Sequence, residues 1–192
     1  MNTEGNFADL INGDFLIPAN LDPRWLNSKF ISIKQLDAKV KGKRLEEITS
    51  FILNHLDYLV EPSTNTDHDI ILDGKKTELK GSTLINGEED KFSFLQIRPS
   101  QDYEQVVFTL VYPEKLELWV LDKESIKTNI LEGQKPENKI RARRKKGDPK
   151  KINKFIKPQH GGNDGNSGTY CFHGHPKTLG ATQILRKFGN VK

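Results

Sequence analysis

Three side chains that can act together on a phosphate ester lie within twelve residues of each other, at Asp69, Glu78 and Lys80. A β-forming run follows Asp69, then the turn signal Asp73-Gly74, and then a second alternating run that carries Glu78 and Lys80. Side chains alternate across a strand, so Glu78 and Lys80 share one face. The pattern predicts a β-hairpin on which two carboxylates and one ammonium group converge.

The chemistry of these groups favours a hydrolytic phosphoryl transfer. Asp69 and Glu78 supply the hard oxygen ligands of Mg²⁺, for which Mn²⁺ can substitute, and Mg²⁺ normally takes only one or two protein carboxylates besides water and substrate phosphate. Lys80 beside the metal would offset charge that develops on the phosphate in the transition state. Asp67 is in phase with Asp69 and is an alternative ligand. A Glu-x-Lys triplet on a solvated strand face is the alternative interpretation of the motif.

The arrangement of Asp69, eight intervening residues and Glu78-Leu79-Lys80 on a hairpin resembles the D…ExK core of the PD-(D/E)xK nuclease superfamily, to which many restriction endonucleases belong. The resemblance implies an active site of Asp69, Glu78 and Lys80, with the main-chain carbonyl of Leu79 as a further metal ligand. The chain departs from the motif at its proline, because His68 precedes Asp69.

Glu46 is a further candidate catalytic residue. Leu45, Ile48, Ile52 and Leu56 recur at helical spacing, Gly42 interrupts the pattern before them, and a helix is predicted at about residues 43–56. The resemblance implies a role for Glu46, since these nucleases often place a glutamate of the first core helix near the metals. The alternative is a surface glutamate that complements the helix dipole.

Gln96 is the fifth catalytic candidate. It lies in a predicted third strand, residues 91–98, with Phe92, Phe94 and Arg98 on the same face. In parts of the superfamily a glutamine on the strand after the hairpin supports the site or the attacking water, and the resemblance implies the same for Gln96. The alternative is an exposed polar residue.

The elements that must position these residues indicate an α/β fold. Apolar runs at residues 106–112 and 116–121 predict a second hairpin, and Asp122 begins a predicted helix that ends near Leu131. We expect a central mixed β-sheet of about five strands flanked by helices, similar to a restriction-endonuclease core, with a basic, loop-rich C-terminal extension. The predicted organisation is a single domain with an N-terminal arm at 1–32, a nuclease core at 33–132 and a recognition extension at 133–192 packed on the core.

Positive charge is concentrated in the predicted extension. Residues 135–157 hold eleven Lys or Arg and two acidic residues, although the whole chain has a net charge of only +4. Such a segment beside a phosphodiesterase site predicts double-stranded DNA as the partner. The polar loop at residues 159–168 is expected to contact base edges. The DNA-binding candidates are Arg98, Lys139, Arg141, Arg143, Arg144, Lys145, Lys146, Lys150, Lys151, Asn163 and Asn166.

The C-terminal region also suggests a weaker alternative. A strand is predicted at residues 169–173 and a helix at residues 179–188. Cys171, His173 and His175 alternate along the strand and, with His160, could supply four zinc ligands, but their spacing matches no known zinc motif.

Composition excludes several classes of protein. Hydrophobic residues make up 34% and charged residues 29%, which is typical of a folded chain. One cysteine cannot form an intramolecular disulfide and fits a reducing compartment, so the expected location is the cytoplasm. Neither a signal peptide, a membrane span nor a nucleotide-binding fingerprint is present.

Three functions remain, and the first is favoured. It is a Mg²⁺-dependent, sequence-specific restriction endonuclease that leaves 5′-phosphate ends and acts as a homodimer on a palindrome. The second is a structure-selective repair or junction nuclease. The third is a DNA-binding module without catalysis.

Overall fold

A computed structural model describes residues 7–11, 21–135, 155–159 and 168–185. The helices in these ranges are Phe7–Ile11 (α1), Ile31–Gln35 (α2), Ala38–His55 (α3) and Lys123–Gln134 (α4). The strands in the same ranges are Val60–Pro62 (β1), Ile70–Leu72 (β2), Lys75–Thr83 (β3), Phe92–Ile97 (β4), Gln105–Val111 (β5), Leu116–Asp122 (β6), Lys157–Pro158 (β7), Tyr170–Gly174 (β8) and Thr182–Leu185 (β9). Short 3₁₀ turns lie at Pro23–Trp25 and Pro176–Leu179.

The fold is α/β, with a mixed six-stranded sheet in the order β1-β2-β3-β5-β6-β9. Only the β3–β5 pair is parallel among the pairs described in this sheet. It arises because the chain leaves β3, returns through β4, and enters β5 beside the start of β3, where the Glu104 N–H donates to the Lys76 carbonyl at 2.8 Å. The predicted mixed sheet flanked by helices is confirmed, with six strands instead of about five.

The third predicted strand forms, but it belongs to another sheet. β4 pairs with β8 in a three-stranded sheet of order β4-β8-β7. Its aromatic side chains pack on the central sheet, since the Phe94 ring lies 4.8 Å from the ring of Phe108 on β5 and stacks with Phe172 on β8. The partner strand is far away in sequence, so the pattern of residues 91–98 alone could not reveal this pairing.

Helix α3 is longer than the sequence pattern indicated. It begins at Ala38 because the Asp37 carboxylate accepts hydrogen bonds from the main-chain N–H groups of Lys39 and Val40 and caps the first turn. Gly42 therefore lies inside the helix, and the predicted interruption there is wrong. A glycine in a helix interior costs only about 1 kcal/mol relative to alanine, and the cap and the packing of the helix outweigh that cost.

Close packing at Gly81 fixes α3 on the central sheet. A Cβ at Gly81 would lie 2.5 Å from both Cβ and Cδ1 of Leu45, so only glycine allows this approach. Thr109, which pairs with Gly81 across β3 and β5, contacts Thr49 of the same helix. α3 therefore covers the Gly81 face of the sheet, and the three-stranded sheet covers the opposite face, which carries Phe108.

We predict that Gly81→Ala destabilises the protein and that Gly42→Ala does not. Gly81→Ala overpacks the α3–β3 contact and is expected to lower the free energy of unfolding by about 1 to 3 kcal/mol. No atom lies within 4 Å of a Cβ built at Gly42. Gly42→Ala is expected to raise the free energy of unfolding by about 0.5 to 1 kcal/mol. Urea denaturation measures the free energy of unfolding of both variants. Equal effects of the two substitutions would contradict the close contact between Gly81 and Leu45.

A buried polar cluster joins the C-terminal elements to β6. His175 is 4% exposed, and its Nε2 lies 3.6 Å from a carboxylate oxygen of both Asp90 and Glu117. Glu117 also accepts hydrogen bonds from Lys115 Nζ at 2.6 Å and from Trp119 Nε1 at 3.0 Å. These contacts hold the 3₁₀ turn after β8 against the central sheet.

The stability of this cluster is expected to depend on pH through Glu117. Burial alone would raise the pKa of the Glu117 carboxyl, but its contacts with His175, Lys115 and Trp119 lower the pKa to about 2. The stabilisation is complete above the ordinary pKa of 4.5 and is lost as the pH falls toward 2. Glu117→Gln is expected to lower the free energy of unfolding at pH 7 by up to about 3 kcal/mol.

Unfolding free energies measured between pH 7 and pH 2 test this expectation. The difference between wild type and Glu117→Gln should shrink below about pH 4.5. Glu114→Gln, at an exposed residue of the preceding turn, is the matched control and should change little at any pH. A Glu117→Gln effect that is constant across the range would contradict the ion-pair origin.

The first and last described segments of the chain both pack on the rest of the fold. Over the described residues 179–185, the predicted helix at residues 179–188 is wrong, because Gly180 at φ 86° ends the 3₁₀ turn and β9 then pairs with the edge of β6. The predicted N-terminal arm contains α1, and Trp25 and Phe30 within it are fully buried in the core.

Candidate active site

The hairpin that carries Asp69, Glu78 and Lys80 forms as predicted. β2 and β3 pair antiparallel, and the turn between them has positive φ at both Asp73 (48°) and Gly74 (79°). This is the geometry of a type I′ turn, which matches the twist of paired strands. β2 pairs with β3 only as far as Thr77, so Glu78 and the residues after it lie beyond the end of β2.

Asp69 lies at this open side of β3. Its Oδ2 accepts a hydrogen bond from the main-chain N–H of Leu79 at 2.7 Å. The N–H and C=O of one strand residue point to the same side of the strand, so the Leu79 carbonyl also faces the Asp69 side. The carbonyl proposed as a ligand and the Asp69 carboxylate are therefore brought together.

Glu78 and Lys80 share one face and touch. The Lys80 ammonium donates to Glu78 Oε1, and the two side chains are 18% and 11% exposed, in the order Lys80 and Glu78. They pair in register with Val106 and Phe108 of β5, so they project from the face that the three-stranded sheet covers. On the same two strands, Ile70, Leu72, Thr77 and Leu79 are all buried.

The two carboxylates influence each other. Burial raises the pKa of the Glu78 carboxyl, the Lys80 charge opposes that rise, and the charge of Asp69 and a hydrogen bond with it add to the rise. Two acidic groups so close are stable as anions only with positive charge beside them. In this state Lys80 supplies that charge.

Glu46 joins the same electrostatic environment from α3. Burial raises the pKa of its carboxyl, and the charge of Asp69 raises it further while Lys80 lowers it. Its position follows from the close contact of the neighbouring Leu45 with Gly81 on β3. The helix therefore holds a third carboxylate that interacts electrostatically with Asp69 and Lys80.

The pair fits Mg²⁺ better than it fits zinc. Within residues 7–11, 21–135, 155–159 and 168–185, no three His, Cys, Asp or Glu side chains are already gathered around one point. Mg²⁺ needs only one or two carboxylates because it retains several waters, whereas a structural zinc site needs four protein ligands. Asp69 and Glu78, with the Leu79 carbonyl, therefore suit a hydrated Mg²⁺.

Gln96 lies in a different setting from the one predicted. The pairing of β4 with β8 is irregular between Phe94 and Ile97, and Gln96 has a positive φ of 56°. The predicted common face is therefore broken, since Phe92 and Phe94 are buried while Gln96 and Arg98 are exposed. The Gln96 N–H donates to Gln159 Oε1 at 2.8 Å. The bulge turns its side chain toward solvent on the second sheet.

The other predicted binding residues fall largely outside the described ranges. Those residues are Lys139, Arg141, Arg143, Arg144, Lys145, Lys146, Lys150, Lys151, Asn163 and Asn166, and His160 of the zinc alternative. Cys171 and His173 lie on β8, but His175 lies beyond its end and packs against Trp119. The predicted alternation of the three is therefore wrong at His175.

Two loops beside the site carry polar groups that sequence patterns did not single out. Among the described residues, His68 Nδ1, Gln101 Oε1 and the Tyr103 hydroxyl are buried and find no hydrogen-bond partner. The loops meet where Gln101 Nε2 donates to the Thr66 carbonyl at 3.5 Å. Only chain folding brings residues 66–69 and 101–103 together, so no local spacing could have identified them.

Comparison with known proteins gives no family assignment. The chain matches no protein-family model and no curated protein sequence. None of the helices in the described part of the chain is long and apolar enough to cross a membrane. The function must therefore be argued from the site itself.

Proposed function

We propose that this protein is a Mg²⁺-dependent, sequence-specific double-stranded DNA endonuclease of the restriction type, with a PD-(D/E)xK-like core. The observation that carries the proposal is the convergence of Asp69, Glu78 and Lys80 on one open stretch of β3. Two carboxylates and one ammonium group at a strand edge suit the hydrolysis of a phosphodiester.

Each residue has a distinct role in the proposed reaction. Asp69 and Glu78, with the Leu79 carbonyl, hold the cation, which when bound polarises the phosphate and acidifies water. Lys80 turns from Glu78 to the scissile phosphate and offsets its developing negative charge. Glu46 is near enough to act on the same charges from α3. Gln96 is exposed at its bulge, and its proposed role is therefore contact with DNA rather than support of the carboxylate pair.

The DNA is proposed to lie against the basic segment at residues 135–157. Gly133 at the end of α4 packs against Phe155 and Ile156, so both ends of that segment are held at the core. A basic, loop-rich extension of this kind would follow the phosphates and contact base edges. One site cuts one strand, so the proposed active form is a homodimer on a palindromic sequence.

Incubation with supercoiled plasmid in Mg²⁺ and in EDTA tests the proposal. The expected result is a set of discrete linear fragments in Mg²⁺ or Mn²⁺ and intact plasmid in EDTA. Protein carrying Asp69→Asn, prepared identically, controls for contaminating nucleases. Nicking only at junctions or flaps would indicate a structure-selective nuclease, and a mobility shift without cleavage would indicate a DNA-binding module.

A further inference from the structure

Tyr103 is an unusual buried tyrosine in the loop that precedes β5. It is only 2% exposed. Within the described part of the chain, its hydroxyl is buried and finds no hydrogen-bond partner. Buried hydroxyl groups are normally hydrogen-bonded, because leaving one without a partner costs its full desolvation free energy. The Tyr103 hydroxyl is therefore available to form a hydrogen bond when the site changes its contacts.

The position of the Tyr103 ring is fixed from two sides. The Lys123 ammonium lies 4.8 Å from the ring centroid and donates to the Gln101 carbonyl at 2.6 Å. On the other side, the neighbouring Glu104 is tied to β3, since its N–H donates to the Lys76 carbonyl and its carboxylate accepts the Lys76 N–H. The ring is therefore held beside the strand that carries the candidate site.

The Tyr103 loop is attached to β3 at Lys76, two residues before Glu78. Burial raises the pKa of Tyr103, and the charge of Glu78 raises it further. The phenol therefore keeps its proton at neutral pH and is a hydrogen-bond donor. Glu78 is buried as well, and its Oε1 accepts a hydrogen bond from Lys80.

We propose that Tyr103 is a positioning residue for the metal site, whose hydroxyl donates a hydrogen bond to the Glu78 carboxylate when Lys80 leaves it. This inference rests on the proposed function, in which a divalent cation takes over the charge balance of Glu78 and Lys80 turns to the phosphate. A cation bound to both carboxylates would also replace the hydrogen bond between Glu78 and Asp69, so Glu78 would need another donor to orient it. Tyr103 supplies that hydrogen bond from a buried hydroxyl that has no other partner among the described residues.

The role corresponds to the hydrogen bonds that orient metal-binding carboxylates in general. Removal of such a supporting hydrogen bond typically weakens metal affinity by about 10- to 100-fold. It does not require the tyrosine to touch the substrate. The consequence should therefore be visible in metal binding itself, before any DNA is added.

Tyr103→Phe and a matched control, Tyr112→Phe, test the inference. Tyr112 is also buried, but its hydroxyl donates to Asp90 Oδ1 at 2.6 Å, and it follows the opposite end of β5 from Tyr103. Each variant is titrated with Mg²⁺ and with Mn²⁺ while thermal unfolding is followed, and Mn²⁺ affinity is measured by calorimetry. Metal-induced stabilisation reports affinity without cleavage.

The two variants should behave in opposite ways. Tyr103→Phe is expected to unfold at an unchanged or slightly higher temperature in EDTA and to bind the metal roughly 10- to 100-fold more weakly. Tyr112→Phe is expected to unfold at a lower temperature in EDTA and to bind the metal as wild type does. If Tyr103 had a purely structural role, Tyr103→Phe would instead unfold at a lower temperature in EDTA and bind the metal as wild type does.

Glu78→Gln distinguishes failure of this inference from failure of the proposed function. If Glu78→Gln weakens metal binding and Tyr103→Phe does not, the positioning role is overturned and the metal site stands. If Glu78→Gln itself binds Mg²⁺ and Mn²⁺ as wild type does, the proposed metal site is overturned, and the role of Tyr103 is overturned with it.

Discussion

Asp69→Asn and Glu78→Gln are each expected to lower the rate of DNA cleavage by a factor of at least about 10² to 10³, the range found when one electrostatic stabiliser is removed. Asn keeps a side-chain oxygen that can accept the Leu79 N–H, which Asp69 now does at 2.7 Å. Gln keeps the shape of Glu78. Both variants therefore remove charge at the site and preserve the hairpin.

Lys80→Met is expected to reduce cleavage to a similar extent for a different reason. It keeps the apolar stem of Lys80 but removes the ammonium group that contacts Glu78 and is proposed to contact the phosphate. Because Lys80 is not a metal ligand, Mg²⁺-induced thermal stabilisation should persist in this variant. The same stabilisation should disappear in Asp69→Asn and Glu78→Gln. This difference separates metal binding from the stabilisation of charge on the phosphate.

Cleavage rates under single-turnover conditions and DNA binding in Ca²⁺ measure these effects. Binding in Ca²⁺ should stay largely intact in all three variants. Asp73→Asn is the matched control, because Asp73 also accepts a main-chain N–H, from Leu59 at 2.9 Å, but lies at the turn of the hairpin, away from the proposed chemistry. Cleavage at the wild-type rate by Asp69→Asn would contradict the assignment of Asp69 as a metal ligand. If Asp67→Ala lost cleavage instead, the metal ligand would be Asp67.

The hairpin could be predicted because its determinants are local. Asp73-Gly74 fixes the turn, and strict alternation fixes which side chains face the core, so Glu78 and Lys80 had to share a face. The contact of Asp69 with Leu79 follows from the same register. A short stretch of chain therefore determines most of the candidate site.

The rest depended on pairings between distant parts of the chain. Residues 91–98 have a strand pattern, but only the presence of β8 places β4 in a second sheet and introduces the bulge at Gln96. Residues 182–185 have an apolar pattern that also fits a helix. They form a strand because they pair with the edge of β6. Tyr103 became a candidate only when folding had buried its hydroxyl near Glu78.

The basic segment gives the second large expected effect, a change in the salt dependence of DNA binding. Residues 136–154 lie outside the described ranges, so the prediction rests on their charge. Each neutralised phosphate contributes about 0.9 to the slope of log affinity against log salt, through release of counterions. Replacing Arg141, Arg143 and Arg144 together by Glu is expected to flatten that slope by about 0.9 for each phosphate that is no longer neutralised.

If all three arginines bind phosphates, the decrease in affinity between about 50 and 200 mM salt should be about 40-fold smaller than in wild type. Binding should weaken for the specific site and for random DNA alike, because phosphates carry no sequence information. Lys39→Glu, Lys75→Glu and Lys127→Glu combined, on exposed surfaces of α3, β3 and α4, change the net charge by the same amount and control for net charge alone. Weaker binding confined to one sequence would mean that the arginines contact bases. An unchanged slope with unchanged cleavage would instead place the DNA elsewhere on the protein.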